Sequence, residues 1–554
     1  MTPRSIIKYS ALSVVFVLAV WALWPPPEPT DADSGSSGDP GATGPIDSAS
    51  DEVEYTIKFY PGNQYMPDSV PFGIGQPLQG IQQVIRDFER LHPDTHIEVV
   101  TVPGVREYLV TQLSSGNAPD ILMVNVEDVW IDVQKGWYVP LDSFLEAPNP
   151  FVVEAGDPAA PGYEQWWDMF KYQAITRGKA APNGKSYCIS LDMVETAIFY
   201  NKDMFRDVGA KVPETWSDFM GLLTTFEDYR NTEGETVTPL VLHIFNLTDW
   251  ATDLFFDQLY YPILDGIDLL KDPAREGYMQ GYLDWDEITF LFDQGFFTRA
   301  DPRYTQIWRV MHEMVGHCNR DLSTTDMIRE FVTRRGAMIW SSSPMVYRLW
   351  GDKSLDFEWD VFYLPPFDRS VSEFADGHPM CVIGGVATQY EVTNSALRDT
   401  DPSLPMAERM AQSERLQRTM AFLQFLTMPA NCERVVNEYP SFLANIVGVD
   451  VLEPLQPFDD ILARRYTTTK WDYTFDLKFS EIQRRMLELY LTDGITLDEF
   501  LDKWQIPNIA AATANVKMRK NPDLERLERE WERLAPVRAR MVGMPEPPPT
   551  SDTD

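Results

Sequence analysis

From residue 53 onward, short apolar stretches with strand-like alternation are separated by longer stretches in which apolar residues recur at helical spacing. Residues 53–60 alternate and are rich in β-branched and aromatic residues, which predicts a strand. Residues 77–91 carry apolar side chains every three or four positions, which predicts an amphipathic helix. The pattern then predicts a strand over 96–102, a helix over 105–114 and a short buried strand over 121–125. This alternation with short loops predicts a mostly parallel sheet flanked by helices.

The first 24 residues predict a membrane-targeting segment that is not part of the fold. Arg4 and Lys8 precede an apolar run over residues 9–24, and basic residues before such a run hold that end in the cytoplasm while the rest is exported. We favour an uncleaved anchor over a cleaved signal peptide, because prolines and no A-x-A-like site follow the run. Residues 25–52 are rich in Pro, Gly, Ser and Asp and contain no Lys or Arg, which predicts a flexible linker.

The charge balance limits the classes of partner. The chain has 554 residues, with 47 Lys and Arg against 84 Asp and Glu, and its net charge is −37. Because nucleic-acid binding depends on basic residues that neutralise phosphates, this composition argues against DNA or RNA as a partner. The four cysteines lie far apart without a CxxC motif, so we expect buried thiols, although export would also allow one or two disulfides.

Motifs for catalysis, cofactors and metals are missing from the sequence. His312 and His317 are five residues apart, which is one too many for a helical zinc pair on one face. Neither a GxSxG motif nor a phosphate-binding GxxxxGK[ST] loop occurs. Among 84 acidic residues, pairs of carboxylates are too numerous to single out a glycoside hydrolase site. The sequence therefore predicts no catalytic residue, no cofactor and no metal site.

A series of short motifs follows in a defined order along the body of the chain. They are FERLHPD (88–94), GNAPDI (116–121), GWYVPLD (136–142), GKSY (184–187), DMVET (192–196), YNKDMF (200–205), VPETWSDF (212–219), RGAMIW (335–340), VFYLPP (361–366) and residues 416–435. In order and spacing they resemble extracellular solute-binding protein family 1, the maltose-binding-protein-like substrate-binding proteins of sugar ABC transporters.

This resemblance implies an α/β, periplasmic-binding-protein type II-like fold, with two α/β lobes joined by a hinge and a ligand cleft between them. The lobes are then interleaved in sequence. We predict the following organisation: an anchor or signal segment over 1–24, a linker over 25–52, lobe 1 over 53–190 and 357–440, lobe 2 over 191–356 and 441–518, and an amphipathic helix with a disordered tail over 519–554.

Sugar recognition requires flat apolar faces for the ring and carboxylates or amides for the hydroxyls. The resemblance places such groups after strands and near the hinge, and it pairs small residues where a ligand approaches the backbone. For each aromatic, packing in the core is the alternative interpretation. The predicted ligand-binding residues are Asn125, Glu127, Trp130, Asp192, Glu195, Asn246, Trp250, Trp340 and Gly384.

The favoured function is that of an exported binding protein that closes around a carbohydrate and delivers it to the transmembrane subunits of an ABC permease, without catalysis. Its expected location is the periplasm or the extracytoplasmic face of the inner membrane, with the N-terminal segment in the membrane. Two alternatives remain open on the sequence. One is an extracytoplasmic glycoside hydrolase or lyase that uses carboxylates, and the other is a membrane-tethered ligand sensor of the same fold.

Overall fold

A computed structural model describes residues 53–104, 106–124, 132–171, 185–270, 285–462, 477–520 and 522–546, together with residues 129 and 283. Its strands are β1 (Tyr55–Tyr60), β2 (Thr95–Val99), β3 (Ile121–Met123), β4 (Cys188–Ser190), β5 (Asp192–Asn201), β6 (Thr238–Val241), β7 (Gly336–Ser342), β8 (Trp359–Phe362), β9 (Gly384–Val386), β10 (Gln389–Val392) and β11 (Leu443–Ala444). These strands form two sheets.

Helices connect and cover the strands. In the first half they are α1 (Gly80–Leu91), α2 (Arg106–Ser115), α3 (Asp142–Leu145), α4 (Pro150–Ala155), α5 (Lys202–Asp207), α6 (Trp216–Glu227), α7 (Thr252–Tyr260), α8 (Leu264–Ile267) and α9 (Trp285–Asp293). In the second half they are α10 (Pro302–Val315), α11 (Met327–Val332), α12 (Met345–Gly351), α13 (Met406–Gln412), α14 (Glu414–Leu426), α15 (Pro429–Val436), α16 (Gln456–Leu462), α17 (Leu477–Leu491), α18 (Leu497–Glu499), α19 (Ile506–Lys520) and α20 (Leu524–Arg538).

The first sheet has the strand order β2-β1-β3-β10-β4. The pairs β1–β2 and β1–β3 are parallel, whereas β10 is antiparallel to both β3 and β4. Ile57 and Phe59 alternate along β1 and have no solvent exposure, so the predicted strand period is the one that fills the core. The predicted strand–helix–strand alternation is confirmed here, with each strand starting or ending within about three residues of its expected boundary. The prediction of a mostly parallel sheet is wrong, because β10 runs antiparallel to both of its neighbours.

The second sheet is built around the long strand β5, all ten residues of which are buried. Its main path is β11-β5-β7-β6, and both β8 and β9 also pair with β5. The pair β6–β7 is parallel and β5 is antiparallel to its partners. A strand buried on both faces shows no alternation of buried and exposed positions. Its polar residues Asp192, Glu195, Thr196 and Asn201 are therefore buried together with its apolar ones.

Within the described residues, the chain passes between the sheets three times. It crosses at Leu191 between β4 and β5, at residues 387–388 between β9 and β10, and over residues 443–452, which begin with β11. Both β9 and β11 pair with the first residues of β5, so the crossings lie side by side. We infer a hinge at this place, because these adjacent crossings are the covalent links between the two sheets in the part of the chain that the structure describes.

The prediction assigned residues 357–440 to lobe 1. In the structure, β8 and β9 pair with β5 of the second sheet, and the return to the first sheet comes with β10. We infer that the stretch from residue 357 to residue 386 belongs to lobe 2. The apolar character of β8 suits either sheet, so only the pairing decides between them.

The C-terminal helix α20 packs on lobe 2 against α8 and α9. Its buried residues Leu527 and Leu534 join a small apolar cluster with Leu269 and Phe290. The Arg303 guanidinium donates hydrogen bonds to the carbonyl oxygens of Leu259, Val542 and Gly543, and the last two residues follow α20 in the chain. A buried guanidinium needs this many acceptors, and it thereby holds the chain after α20 against the lobe.

The predicted anchor over 1–24 and the linker over 25–52 lie outside the described residues. Among the residues that are described, no helix is both long enough and apolar enough to span a membrane. The cysteines are free thiols: Cys188, Cys381 and Cys432 are buried, and Cys318 is partly exposed.

Candidate functional site

Two of the predicted residues, Glu195 and Gly384, face each other across paired strands beside the hinge. They are partners in the register of β5 and β9. Glu195 is fully buried, and its Oε1 accepts a hydrogen bond from the Thr196 backbone N–H at 2.7 Å. A Cβ on Gly384 would lie 2.3 Å from Glu195 Oε2 and 2.7 Å from the Val194 carbonyl oxygen. The close approach that Gly384 permits in the structure is therefore that of the Glu195 carboxylate.

Asp192 is the first residue of β5 and is fully buried at the first crossing. Its Oδ2 accepts hydrogen bonds from Tyr65 Oη at 2.5 Å and Thr388 Oγ1 at 2.8 Å, and its Oδ1 accepts one from the Thr388 N–H at 2.6 Å. Burial raises the pKa of this carboxyl to about 6, against the lowering effect of those hydrogen bonds. The carboxylate oxygens of Asp192 therefore face Tyr65 and Thr388 at the hinge.

Asn246, Trp250 and Trp340 come together where β6 and β7 end. The Asn246 side chain accepts a hydrogen bond from the His243 N–H at 2.8 Å and donates one to the Trp340 carbonyl at 3.3 Å. The ring centroids of Trp250 and Trp340 are 5.6 Å apart, and both side chains are at most 3% exposed. The three residues thus join the two strand ends, and the indoles occupy the core of the lobe.

Partly buried aromatic rings lie beside this junction. The His243 and Phe245 ring centroids are 4.8 Å apart, and Phe245 stands at 88° to Trp250. His243 Nδ1 accepts from the Phe245 N–H, and Nε2 lies 3.0 Å from the Ser323 carbonyl oxygen, an arrangement that a neutral imidazole satisfies. Burial, together with the charge of Arg484, lowers the pKa of His243.

The Asp249 carboxylate and the Arg484 guanidinium belong to the same group of side chains at the strand ends of lobe 2. Asp249 Oδ2 and Arg484 Nε are both buried, and neither has a hydrogen-bond partner in the part of the chain that the structure describes. Burial raises the pKa of Asp249 to about 6, while the nearby Arg484 charge and a hydrogen bond from Thr248 lower it. Asp249 follows β6 and Arg484 lies on α17, so the two groups come from opposite ends of lobe 2 in sequence.

The family model described as "Bacterial extracellular solute-binding protein" matches residues 74–305, which include β5, β6 and the Asp249 loop. Over this stretch the chain resembles the bacterial extracellular solute-binding proteins. The proteins that this model describes are extracellular. The match agrees with the two interleaved α/β lobes and the three side-by-side crossings found above.

Individual proteins match stretches of different length in this chain. The "Multiple sugar-binding protein" of Streptococcus mutans serotype c is 28% identical over 152 residues, which cover 27% of this chain and only 31% of that protein. The "Osmoprotective compounds-binding protein GgtB" of Synechocystis sp. is 25% identical over 339 residues, covering 58% of this chain and 68% of that protein. The sugar-binding protein MalE of Xanthomonas citri has a solved structure that aligns with a TM-score of 0.55 at 15% identity, over 84% of this chain and all of that one. This structural likeness confirms the predicted two-lobed fold class.

The predicted site residues fall into three sets. Asp192, Glu195 and Gly384 meet at the hinge, whereas Asn246, Trp250 and Trp340 meet at the strand ends of lobe 2. Asn125, Glu127 and Trp130 lie outside the described residues, so their role stays a prediction.

The sequence interpretation missed Asp249 and Arg484. Asp249 stands beside the predicted Trp250 and could have been found as the acidic residue of that strand-end loop. Arg484 carries no such signal, because helical periodicity does not reveal which helix will return to a strand end more than two hundred residues earlier in the chain.

A histidine with two acidic partners holds the segment that leads into β9. His378 Nε2 lies 3.3 Å from Asp257 Oδ2 and Nδ1 lies 2.6 Å from Asp376 Oδ1, and its ring is 4.2 Å from that of Tyr261. Asp257 also accepts from the Cys381 N–H at 3.2 Å. Burial lowers the pKa of His378, but the two carboxylates outweigh it, and the pKa is raised above its ordinary value.

We expect His378 to make stability depend on pH. A histidine whose folded-state pKa is raised stabilises the fold fully below its unfolded pKa of about 6.5, and this stabilisation is lost as the pH rises through the raised value. Chemical denaturation across that range should show the loss, and a His378→Ala variant should show less of it. In the same protein, NMR titration of His243 should give a pKa below 6.5; a lower pKa for His378 than for His243 would contradict the assignment.

Proposed function

We propose that this protein captures a neutral carbohydrate between its two lobes and delivers it to an ABC-type permease. The match to the extracellular solute-binding family model supports ligand capture outside the cytoplasm, and the side-by-side crossings support closure of one lobe on the other. The observation that carries the choice of ligand is the group of polar and aromatic side chains at the strand ends of lobe 2.

The two partnerless polar atoms favour a ligand that can both donate and accept hydrogen bonds. A buried charged group without a hydrogen bond is costly, and a ligand that supplies the bond recovers that cost on binding. A sugar hydroxyl donates to Asp249 Oδ2, and a neighbouring hydroxyl accepts from Arg484 Nε. A purely apolar ligand would leave both groups unsatisfied.

The aromatic rings favour the same class of ligand. One face of a sugar ring carries several C–H groups, and these pack on flat aromatic surfaces. Trp250 and Trp340 are almost fully buried, so the partly exposed rings of His243 and Phe245 are the ones that offer a surface. The Streptococcus relative, named as a multiple sugar-binding protein, supports a saccharide ligand, although the match covers less than a third of its length.

We further propose that residues 1–24 tether the protein to the extracytoplasmic face of the membrane through the linker over 25–52. The basic residues before the apolar run and the lack of a cleavage site support this proposal. Membrane fractionation of the full chain tests it, since a cleaved signal would leave the mature protein in the soluble fraction with a shortened N-terminus.

Binding should depend on Asp249 and Arg484. We expect isothermal titration calorimetry with a panel of neutral mono- to trisaccharides, raffinose and maltotriose included, to find a ligand. Asp249→Asn and Arg484→Met should each weaken its binding by about 10- to 100-fold, the usual value of a hydrogen bond to a charged group. The charged, exposed neighbour Arg485 lies on the same helix, and Arg485→Met should leave the affinity unchanged.

Two results would contradict this proposal. Failure of the folded protein to bind any saccharide of the panel would rule out the carbohydrate ligand. Release of shortened products from a bound oligosaccharide over time would instead indicate hydrolysis or lyase activity, because a binding protein returns its ligand intact.

A further inference from the structure

The carboxyl group of Asp192 is the point at which the segments of the hinge meet. Asp192 itself begins the strand after the first crossing, and Thr388, which donates two hydrogen bonds to it, lies on the second crossing. Tyr65, the third donor, belongs to the segment after β1 in lobe 1. One fully buried carboxyl therefore joins lobe 1 to two of the chain crossings.

The hydrogen bonds continue to the segment that leads into the third crossing. Gln64 Nε2 donates to Thr388 Oγ1 at 2.8 Å, and Tyr439 Oη donates to the Gln64 carbonyl oxygen at 3.0 Å. The Tyr65 ring packs edge-on against Phe442, with the centroids 6.2 Å apart. Rotation of one lobe against the other must therefore lengthen or break at least one of these hydrogen bonds or ring contacts.

Among the described residues, the titratable groups that face the charge of Asp192 are neutral. They are Tyr65, Tyr390 on β10, Cys432 on α15 and Tyr439 after that helix, and burial together with the Asp192 charge raises the pKa of all four. Each of them stays uncharged in the range where Asp192 titrates. Since Asp192 titrates near pH 6, its charge changes under mildly acidic conditions.

Protonation changes what the carboxyl group can accept. As a carboxylate, Asp192 accepts all three hydrogen bonds. The Thr388 backbone N–H can only donate and needs Oδ1, so an added proton goes to Oδ2, which faces two hydroxyl groups. A protonated Oδ2 donates to Tyr65 Oη, and the phenol then loses its charge-assisted bond to the hinge.

We propose that Asp192 is a positioning residue of the hinge: its ionised carboxylate fastens the Gln64–Tyr65 segment of lobe 1 to the crossings, and its protonation loosens this link so that the lobes separate further. This assigns Asp192 a different role from the ligand contact that the sequence predicted. The inference concerns the ligand-free hinge, so it holds or fails independently of whether the ligand is a sugar.

The test is the distance between the lobes as a function of pH in the absence of ligand. Spin labels are attached to cysteines at Leu91 in lobe 1 and Trp504 in lobe 2, which are 57% and 43% exposed. Cys318 is replaced by alanine, because it is the partly exposed native thiol. Pulsed electron paramagnetic resonance at about pH 7.5 and about pH 5, on either side of the pKa of about 6, then gives the two distance distributions.

We expect the distribution to shift to longer distances at the lower pH. An Asp192→Asn variant mimics the protonated acid, since its amide donates to Tyr65 Oη while its oxygen accepts from Thr388, and it should give the longer distances at both pH values. Tyr65→Phe removes the hydrogen bond from Tyr65 Oη to the Asp192 carboxyl and leaves Asp192 itself unchanged. This variant should also give the longer distances at both pH values. Asp301→Asn replaces a fully buried carboxyl at the start of α10 in lobe 2, whose pKa is also raised by burial, and should keep the wild-type response.

A wild-type distribution that does not change between the two pH values would overturn the proposal. So would an Asp192→Asn variant that still responds to pH as the wild type does, because another group would then be titrating. If Asp192→Asn fails to fold, Tyr65→Phe decides: a pH response equal to that of the wild type contradicts the proposal.

Discussion

Replacing Asp120 by alanine is expected to lower the free energy of unfolding by about 3–5 kcal/mol, because it leaves a buried guanidinium without its counter-charge. Asp120 has no solvent exposure and receives two hydrogen bonds from Arg415, at 2.8 and 2.7 Å. It also accepts from the Lys58 N–H at 2.8 Å and from Arg398 at 3.3 Å. Arg415 in turn donates to the Thr56 carbonyl oxygen, so the cluster ties α14 to β1 and to the start of β3.

The effect is large because total stabilities are about 5–15 kcal/mol. Urea denaturation of the wild type and the variant measures it. The matched control is Glu235→Ala, which removes the carboxylate of an exposed pair with Arg335 and should cost less than about 1 kcal/mol. Equal losses in the two variants would show that burial does not set the strength of the Asp120 cluster.

Gly384→Ala is expected to destabilise the protein by about 2–3 kcal/mol, as overpacking of a well-packed site does. Alanine suits a strand backbone, so the expected loss comes from contact alone: the new methyl group would lie 2.3 Å from Glu195 Oε2 and 2.7 Å from the Val194 carbonyl. Neither β5 nor β9 can give way easily, because their pairing also holds the hinge. The Glu195 carboxylate must therefore move, and any ligand that contacts it should bind more weakly.

The neighbouring glycine provides the control. A Cβ on Gly385 would meet nothing within 4 Å, so Gly385→Ala should leave stability within about 0.5 kcal/mol of the wild type. Thermal and urea denaturation of both variants make the comparison. A Gly384→Ala protein as stable as Gly385→Ala would mean that the Glu195 side chain rotates away at little cost and that Gly384 is not required for the close approach.

The elements of lobe 1 could be predicted well because each has a local signature. The residues of β1 and α1 show periods of two and of three to four residues, and these periods report directly which face is buried. The return from lobe 2 to lobe 1 could not be placed in this way. A short apolar strand such as β8 is compatible with either sheet, and its place depends on backbone pairing with a strand more than 150 residues away in the sequence.

The same limit applies to the candidate site. The family resemblance of their motifs was enough to single out Asp192, Glu195 and Gly384, and the structure brings these three to the hinge. Which way each side chain points was not predictable: Trp340 lies in the core and Asp192 turns its oxygens to the crossings. These outcomes depend on the partners that surround each group in three dimensions.

By itself, the sequence determined the α/β class, the solute-binding resemblance and the acidic character that argues against nucleic acids. Each of these follows from local periodicity, short motifs or composition, which need no knowledge of distant contacts. The tertiary structure alone decided that Arg484 approaches Asp249, that Thr388 and Tyr65 share the Asp192 carboxyl, and that Glu195 lies against Gly384. Such groups meet only when the chain has folded, because hydrogen bonds and charges act over a few ångströms in space, whatever the separation along the chain.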